Sequence, residues 1–159
     1  MAEVTGLFEV AVVATAIGSG TVGGIFYAFS SFVMRALGRI DPAEGLRAMQ
    51  AINVAVINPW FMSVFLGCTL LSAGVGVASL LRWEDPGAGL RLGASVLYVV
   101  GCFGSTIVFN VPLNNGLETD GSTAFWARYL REWTRWNHVR TIAAILAAVL
   151  FTVSLGSTR

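Results

Sequence analysis

The amide and imidazole side chains are few in this 159-residue chain, and they fall in three short stretches. Gln50 and Asn53, with Asn58 close behind, form the first; Asn110, Asn114 and Asn115 form the second; Asn137, His138 and Arg140 form the third. Gln50 is the only glutamine and His138 the only histidine, and these are all six asparagines. A primary amide both donates and accepts hydrogen bonds, a guanidinium holds anions, and imidazole is the side chain that ordinarily titrates near neutrality. Trp126, Tyr129, Trp133 and Trp136 crowd the third stretch and present ring faces to an aromatic ligand.

Composition decides which scaffold carries them. Hydrophobic residues make up 55% of the chain, charged residues only 12%, and the mean hydropathy is +0.72. So few charges cannot cover a water-exposed surface, which argues against a soluble enzyme, a disordered chain or a nucleic-acid binder. The basic residues are all arginine and the net charge is +1, so no broad attraction to polyanions is expected. Charge-poor windows of about twenty residues, the length that crosses roughly 30 Å of hydrocarbon, predict four spans at about 7–34, 60–81, 92–113 and 139–155. The start of the chain lacks the basic region of a cleavable signal, so the first span is expected to be retained. Small residues recur at every fourth position: Ala16, Gly20, Gly24 and Ala28; Cys68, Ser72 and Gly76; Gly101 and Ser105; Ala143/Ala147 and Ala144/Ala148. The expected fold is an all-α four-helix transmembrane bundle forming a single integral membrane domain over residues 1–159. Cys68 and Cys102 form no CxxC, so small core residues are a simpler reading than redox centres, and no metal site is expected.

The connections are unequal. Asp41-Pro42-Ala43-Glu44 reads as an N-cap, a proline in the first turn and an acid at the third position, opening an amphipathic helix between spans 1 and 2 that brings Leu46, Gln50, Asn53 and Ile57 to one face. The second connection, residues 82–87, is a plain turn. From Ser122 to Leu155 there is neither Gly nor Pro, so helix 4 is expected to begin well before the hydrocarbon. With four spans, every Asn, the Gln and the His lie on the side of the first and third connections, which suggests a polar pocket opening there. Turn signals favour a capping role for Asn58, Asn114 and Asn115, whereas Asn110 and Asn137 fall within helices and favour the pocket. Seven arginines lie on that side, against Arg82, Arg91 and Arg159, and the positive-inside rule places it in the cytoplasm of a bacterial inner membrane, with both termini outside.

Four segments carry a resemblance: Phe29-Ser30-Ser31-Phe32-Val33-Met34; Ala48-Met49-Gln50-Ala51-Ile52-Asn53 with Asn58-Pro59; Asn110-Val111-Pro112-Leu113-Asn114; and Trp133-Thr134-Arg135-Trp136-Asn137-His138-Val139-Arg140-Thr141. Across nearly the whole chain the sequence resembles the anthrone oxygenase-like family of small four-helix membrane proteins. The resemblance implies an oxygenase acting on a hydrophobic aromatic substrate, with dioxygen as cosubstrate and no cofactor required. That chemistry needs a base near neutrality, a donor to a developing oxyanion and aromatic walls. His138 is then the candidate base; Arg140, Asn110 and Asn137 are candidate donors; Trp133, Trp136 and Tyr129 are ring partners, with Asn53, Gln50 and Asn114 as further substrate contacts.

A helical wheel sets Trp126, Tyr129, Trp133, Trp136 and Arg140 along one stripe and Arg128, Arg131, Arg135 and His138 roughly opposite, so His138 equally reads as a headgroup-level residue and the tryptophans as an aromatic belt. Two alternatives stay open: a haem oxidoreductase with His138 as iron ligand, and a non-enzymatic membrane module binding a small molecule. The expected partners are the lipid bilayer and a hydrophobic small molecule, without nucleic acid; a homo-oligomer is left open. A reporter fused after Arg159 is expected to be active only outside the cytoplasm, and cytoplasmic activity would reverse the assigned orientation.

Overall fold

The computed structural model describes residues 2–157, with side chains from Gly6 onward, so Arg159 lies outside the described residues. Helix α1 runs through Ala2–Ala28, a widened π-helical segment Phe29–Val33 and a last turn Met34–Leu37. Helix α2 is Pro42–Ala55, α3 is Pro59–Leu81, α4 is Ala88–Asp120 and α5 is Thr123–Gly156. Four of them, α1, α3, α4 and α5, are long and apolar enough to cross a membrane. The protein is an all-α integral membrane bundle.

Local chemistry sets the helix starts as expected. The Asp41 carboxylate accepts from the backbone N–H groups of Ala43 and Glu44 and caps α2; Asn58 accepts from Phe61 N–H and caps α3; Ser122 accepts from Phe125 N–H and starts α5 far ahead of the fourth span. The third span was expected to stop at 113, but α4 continues to Asp120. Thr106–Asn110 is π-helical, and the Val111 N–H bonds to the Thr106 carbonyl five residues back. A proline ring normally clashes with the carbonyl four residues earlier, and this widening lets Pro112 sit in a continuing helix. Asn114 and Asn115 are therefore helical rather than turn residues, and the reversal falls on Gly121, at φ +61.

The strongest helix pairing is α1 on α5, with α3 against the start of α4 and α4 along α5. Three of the small-residue rows are interfaces. A Cβ on Gly76 would lie 2.9 Å from Ser95 Cβ, and one on Gly101 would lie 2.8 Å from Ala143 Cβ, so these crossings fit only glycine. The first row holds only in part: Ala16 packs on the core and a Cβ on Gly20 would lie 3.8 Å from Ala148 Cβ, but Gly24 faces outward, and α1 buries Val12, Thr15, Ser19, Val22, Gly23 and Phe26. Thr15 donates to the Ala11 carbonyl and Ser19 Oγ lies 3.4 Å from Cys68 Sγ, so these hydroxyls are satisfied inside the bundle. Cys68 and Cys102 are free and buried among apolar side chains.

A second core forms beyond the first, where α2 lies over the ends of α1, α4 and α5 with Met34, Leu46, Met49, Leu117, Trp126, Tyr129 and Trp133. Gly45 makes this docking possible, since a Cβ there would meet Leu37 O at 2.6 Å and Trp126 Cζ2 at 2.9 Å. Gly45→Ala is expected to cost about 1–3 kcal/mol by overpacking. A clear drop in the unfolding midpoint in detergent checks this, with Gly89→Ala at an exposed position as the neutral comparison.

Candidate functional site

Helix α5 presents its buried residues at three- and four-residue steps: Trp126, Tyr129, Trp133, Asn137, Arg140 and Thr141. Arg140 is only 6% exposed. Its Nε donates to Asn137 Oδ1 at 2.8 Å, and its guanidinium carbon sits 3.9 Å from the Phe26 ring centroid and 4.7 Å from that of Trp133. These are cation–π distances. The one ion pair among the described residues joins Arg128 to Glu132 on the outer face, so no carboxylate there neutralises Arg140. Its terminal amino groups donate to no protein acceptor among the described residues.

Asn137 holds this arrangement to α1. Its Nδ2 donates to the Phe26 carbonyl at 2.8 Å and to Ser30 Oγ at 2.7 Å, while Thr141 Oγ1 donates to the Asn137 carbonyl and lies 3.1 Å from Ser30 Oγ. Asn114 Oδ1 accepts from both Tyr129 Oη and Trp133 Nε1, each at 2.8 Å, which fixes the indole that covers the guanidinium. Asn110 is fully buried; its Nδ2 donates to the Trp133 carbonyl, and its Oδ1 has no partner.

Arg140 lines a cavity of about 290 Å³, near the low end of the roughly 300–1,000 Å³ usual for small-molecule sites. Its walls are mostly apolar, with six aromatic side chains, Phe26, Phe29, Phe61, Phe65, Phe103 and Trp133, set among aliphatic ones. Phe61 and Phe65 stack at 5.5 Å, and Phe65 meets Phe26 and Phe103 at 6.3 and 5.6 Å. Polar groups are few: Asn53, Thr106, Asn114 and Arg140. An apolar slot with one unneutralised cation suits a flat molecule bearing an oxygen that is, or becomes, negative.

The expected site residues separate accordingly. Arg140, Trp133, Asn114 and Asn53 line the cavity; Asn137, Asn110 and Tyr129 stand behind it as supports. Gln50 donates to the Leu117 carbonyl and serves the α2 docking. Trp136 leaves the stripe, lying half-buried and stacked on Phe109 at 3.4 Å. His138 is exposed and is not among the lining residues. Among the described residues no group of three or more His, Cys, Asp or Glu side chains could hold a metal ion. The phenylalanine walls carried no distinguishing signal, because Phe within an apolar span looks like any other lipid-soluble residue.

A family model described as anthrone oxygenase matches residues 59–150, more than half of the chain. The chain belongs to the anthrone oxygenase family. Neither a curated protein nor a solved structure matches it. The matched stretch holds Asn110, Asn114, Trp133, Asn137 and Arg140, while Phe26, Phe29 and Asn53 come from the helices before it. Within this family member, Asn137→Leu would strand the buried Arg140 Nε and is expected to cost about 1–3 kcal/mol or more. Denaturation in detergent checks this, with the exposed Asn115→Ala expected to change little.

Proposed function

We propose that this protein oxygenates a neutral polycyclic aromatic ketone of the anthrone type, with Arg140 as the oxyanion partner. The observation that carries the reading is a buried guanidinium without a carboxylate partner, flanked by aromatic rings and lining an apolar cavity. A guanidinium keeps its charge at neutral pH and is less strongly hydrated than an ammonium, which suits it to this setting.

The substrate ring lies between the phenylalanine walls and its carbonyl oxygen accepts from the free N–H groups of Arg140. Loss of a proton from the methylene carbon opposite that carbonyl moves negative charge onto the oxygen, where the guanidinium stabilises it more than in the ground state. None of the described lining residues is a carboxylate or an imidazole, so in this reading the proton passes to water at the Asn53 and Asn114 edge. The delocalised anion gives up electrons to dioxygen, a C–O bond forms at the former methylene carbon, and the peroxide, once protonated, loses water. One ketone and one dioxygen yield one quinone and one water. Trp133, held by Asn114, and Asn137, held by α1, are positioning residues for Arg140.

Oxygen uptake by the purified protein with anthrone tests this. Arg140→Met is expected to lower kcat by about 10²–10³ as for a lost oxyanion donor, and Arg140→Lys to retain part of the rate. His138→Ala is expected to stay near wild type, against the ~10²–10⁴ loss of a general base. A Soret band that His138→Ala removes, or a loss of turnover in His138→Ala alone, would overturn this assignment.

A further inference from the structure

The cavity at Arg140 is polar only inside. Its exposed lining residues are all apolar: Ile25 on α1, Ile57 just after α2, Leu66 on α3, and Ile107 and Val111 on α4. Arg140 and Thr106 are buried, and Asn53 and Asn114 half-buried. The helix packing shows where the wall is thin. Helix α3 packs closely on Ala88–Val96, more sparingly on Leu97–Gly104 and scarcely on the stretch from Thr106 onward, so α3 and α4 part toward the site. The parting coincides with the widened turns of α4.

Depth decides what fills the gap. Trp60, 88% exposed at the start of α3, has the position of an interfacial tryptophan. Leu66 lies six residues, roughly 9 Å, further along the helix axis, toward the level of acyl chains. Leu66 and Ile107 are 42% and 49% exposed while lining the cavity. An opening with such a rim faces hydrocarbon, not water.

Resting on the substrate class proposed above, we infer that substrate reaches Arg140 sideways from the bilayer, through an opening between α3 and α4 flanked by Leu66 and Ile107. The rim is then a specificity determinant. A neutral ring system dissolved in lipid passes it without shedding hydration, whereas a permanent anion must be stripped of water before any contact with Arg140 repays the loss. Charge develops only after the oxygen has reached the guanidinium.

The test joins the two sides of the opening. A Leu66→Cys/Ile107→Cys variant in lipid nanodiscs is bridged with a bifunctional methanethiosulfonate and later released with reductant; the native cysteines are buried. The probe is 2-hydroxyanthraquinone in mildly acidic buffer, neutral when free and absorbing at longer wavelength as the phenolate expected beside Arg140. The bridged protein should develop this red shift about tenfold or more slowly than the same protein after reduction, as for gated association. Anthraquinone-2-sulfonate, always anionic, should compete poorly. Equal rates before and after reduction, or strong competition by the sulfonate, would overturn the sideways route. No red shift in either form would remove the binding site and the inference with it. A red shift slowed by the bridge, in a reduced protein that takes up no oxygen with anthrone, supports the route and counts against oxygenation.

Discussion

A guanidinium placed among apolar side chains at the edge of the hydrocarbon constrains most of what surrounds it. Insertion scales put a charged residue at the centre of a spanning helix at about 2.5–3.5 kcal/mol, so such a residue needs compensation from its neighbours. Arg140 receives it in two forms: a hydrogen bond to Asn137 Oδ1 and two ring faces. Neither neutralises the charge. Asn137 is itself anchored to the Phe26 carbonyl and Ser30, so the group that orients the cation also joins α5 to α1, the most extensive helix pair in the bundle. Trp133 is in turn held by Asn114 on α4. Three of the spanning helices thus converge on one side chain, and the unneutralised charge is left facing the cavity.

Widened turns shape the remainder. Phe29 belongs to the π-helical segment of α1, and Phe103 and Thr106 to those of α4; all three line the cavity. An extra residue per turn rotates the side chains that follow it and interrupts the regular ladder, and such distortions recur at functional positions. In α4 the same widening accommodates Pro112, so the helix can continue to Asn114 and bring that amide under Trp133. The site therefore depends on backbone irregularity in two helices that remain continuous.

Much of this architecture was legible in the order of residues. The spans follow from hydropathy and the thickness of a bilayer, the starts of α2, α3 and α5 from capping side chains, and the buried stripe through Trp126, Tyr129, Trp133 and Arg140, though not Trp136, from helical periodicity, all of which act within a turn or along one helix. The sequence by itself therefore determined that helices cross a membrane and which residues of α5 share a stripe. Only the tertiary structure decided that α1 buries Thr15 and Ser19 while Gly24 of its small-residue row faces outward, that Asn114 is a helical acceptor and not a turn residue, and that Arg140 reaches the cavity while the neighbouring His138 stays outside. Each of those outcomes turns on partners far away in the chain, such as Cys68 beside Ser19 or Phe26 over Arg140, and a local pattern carries no information about which distant side chain will supply the missing hydrogen bond or ring.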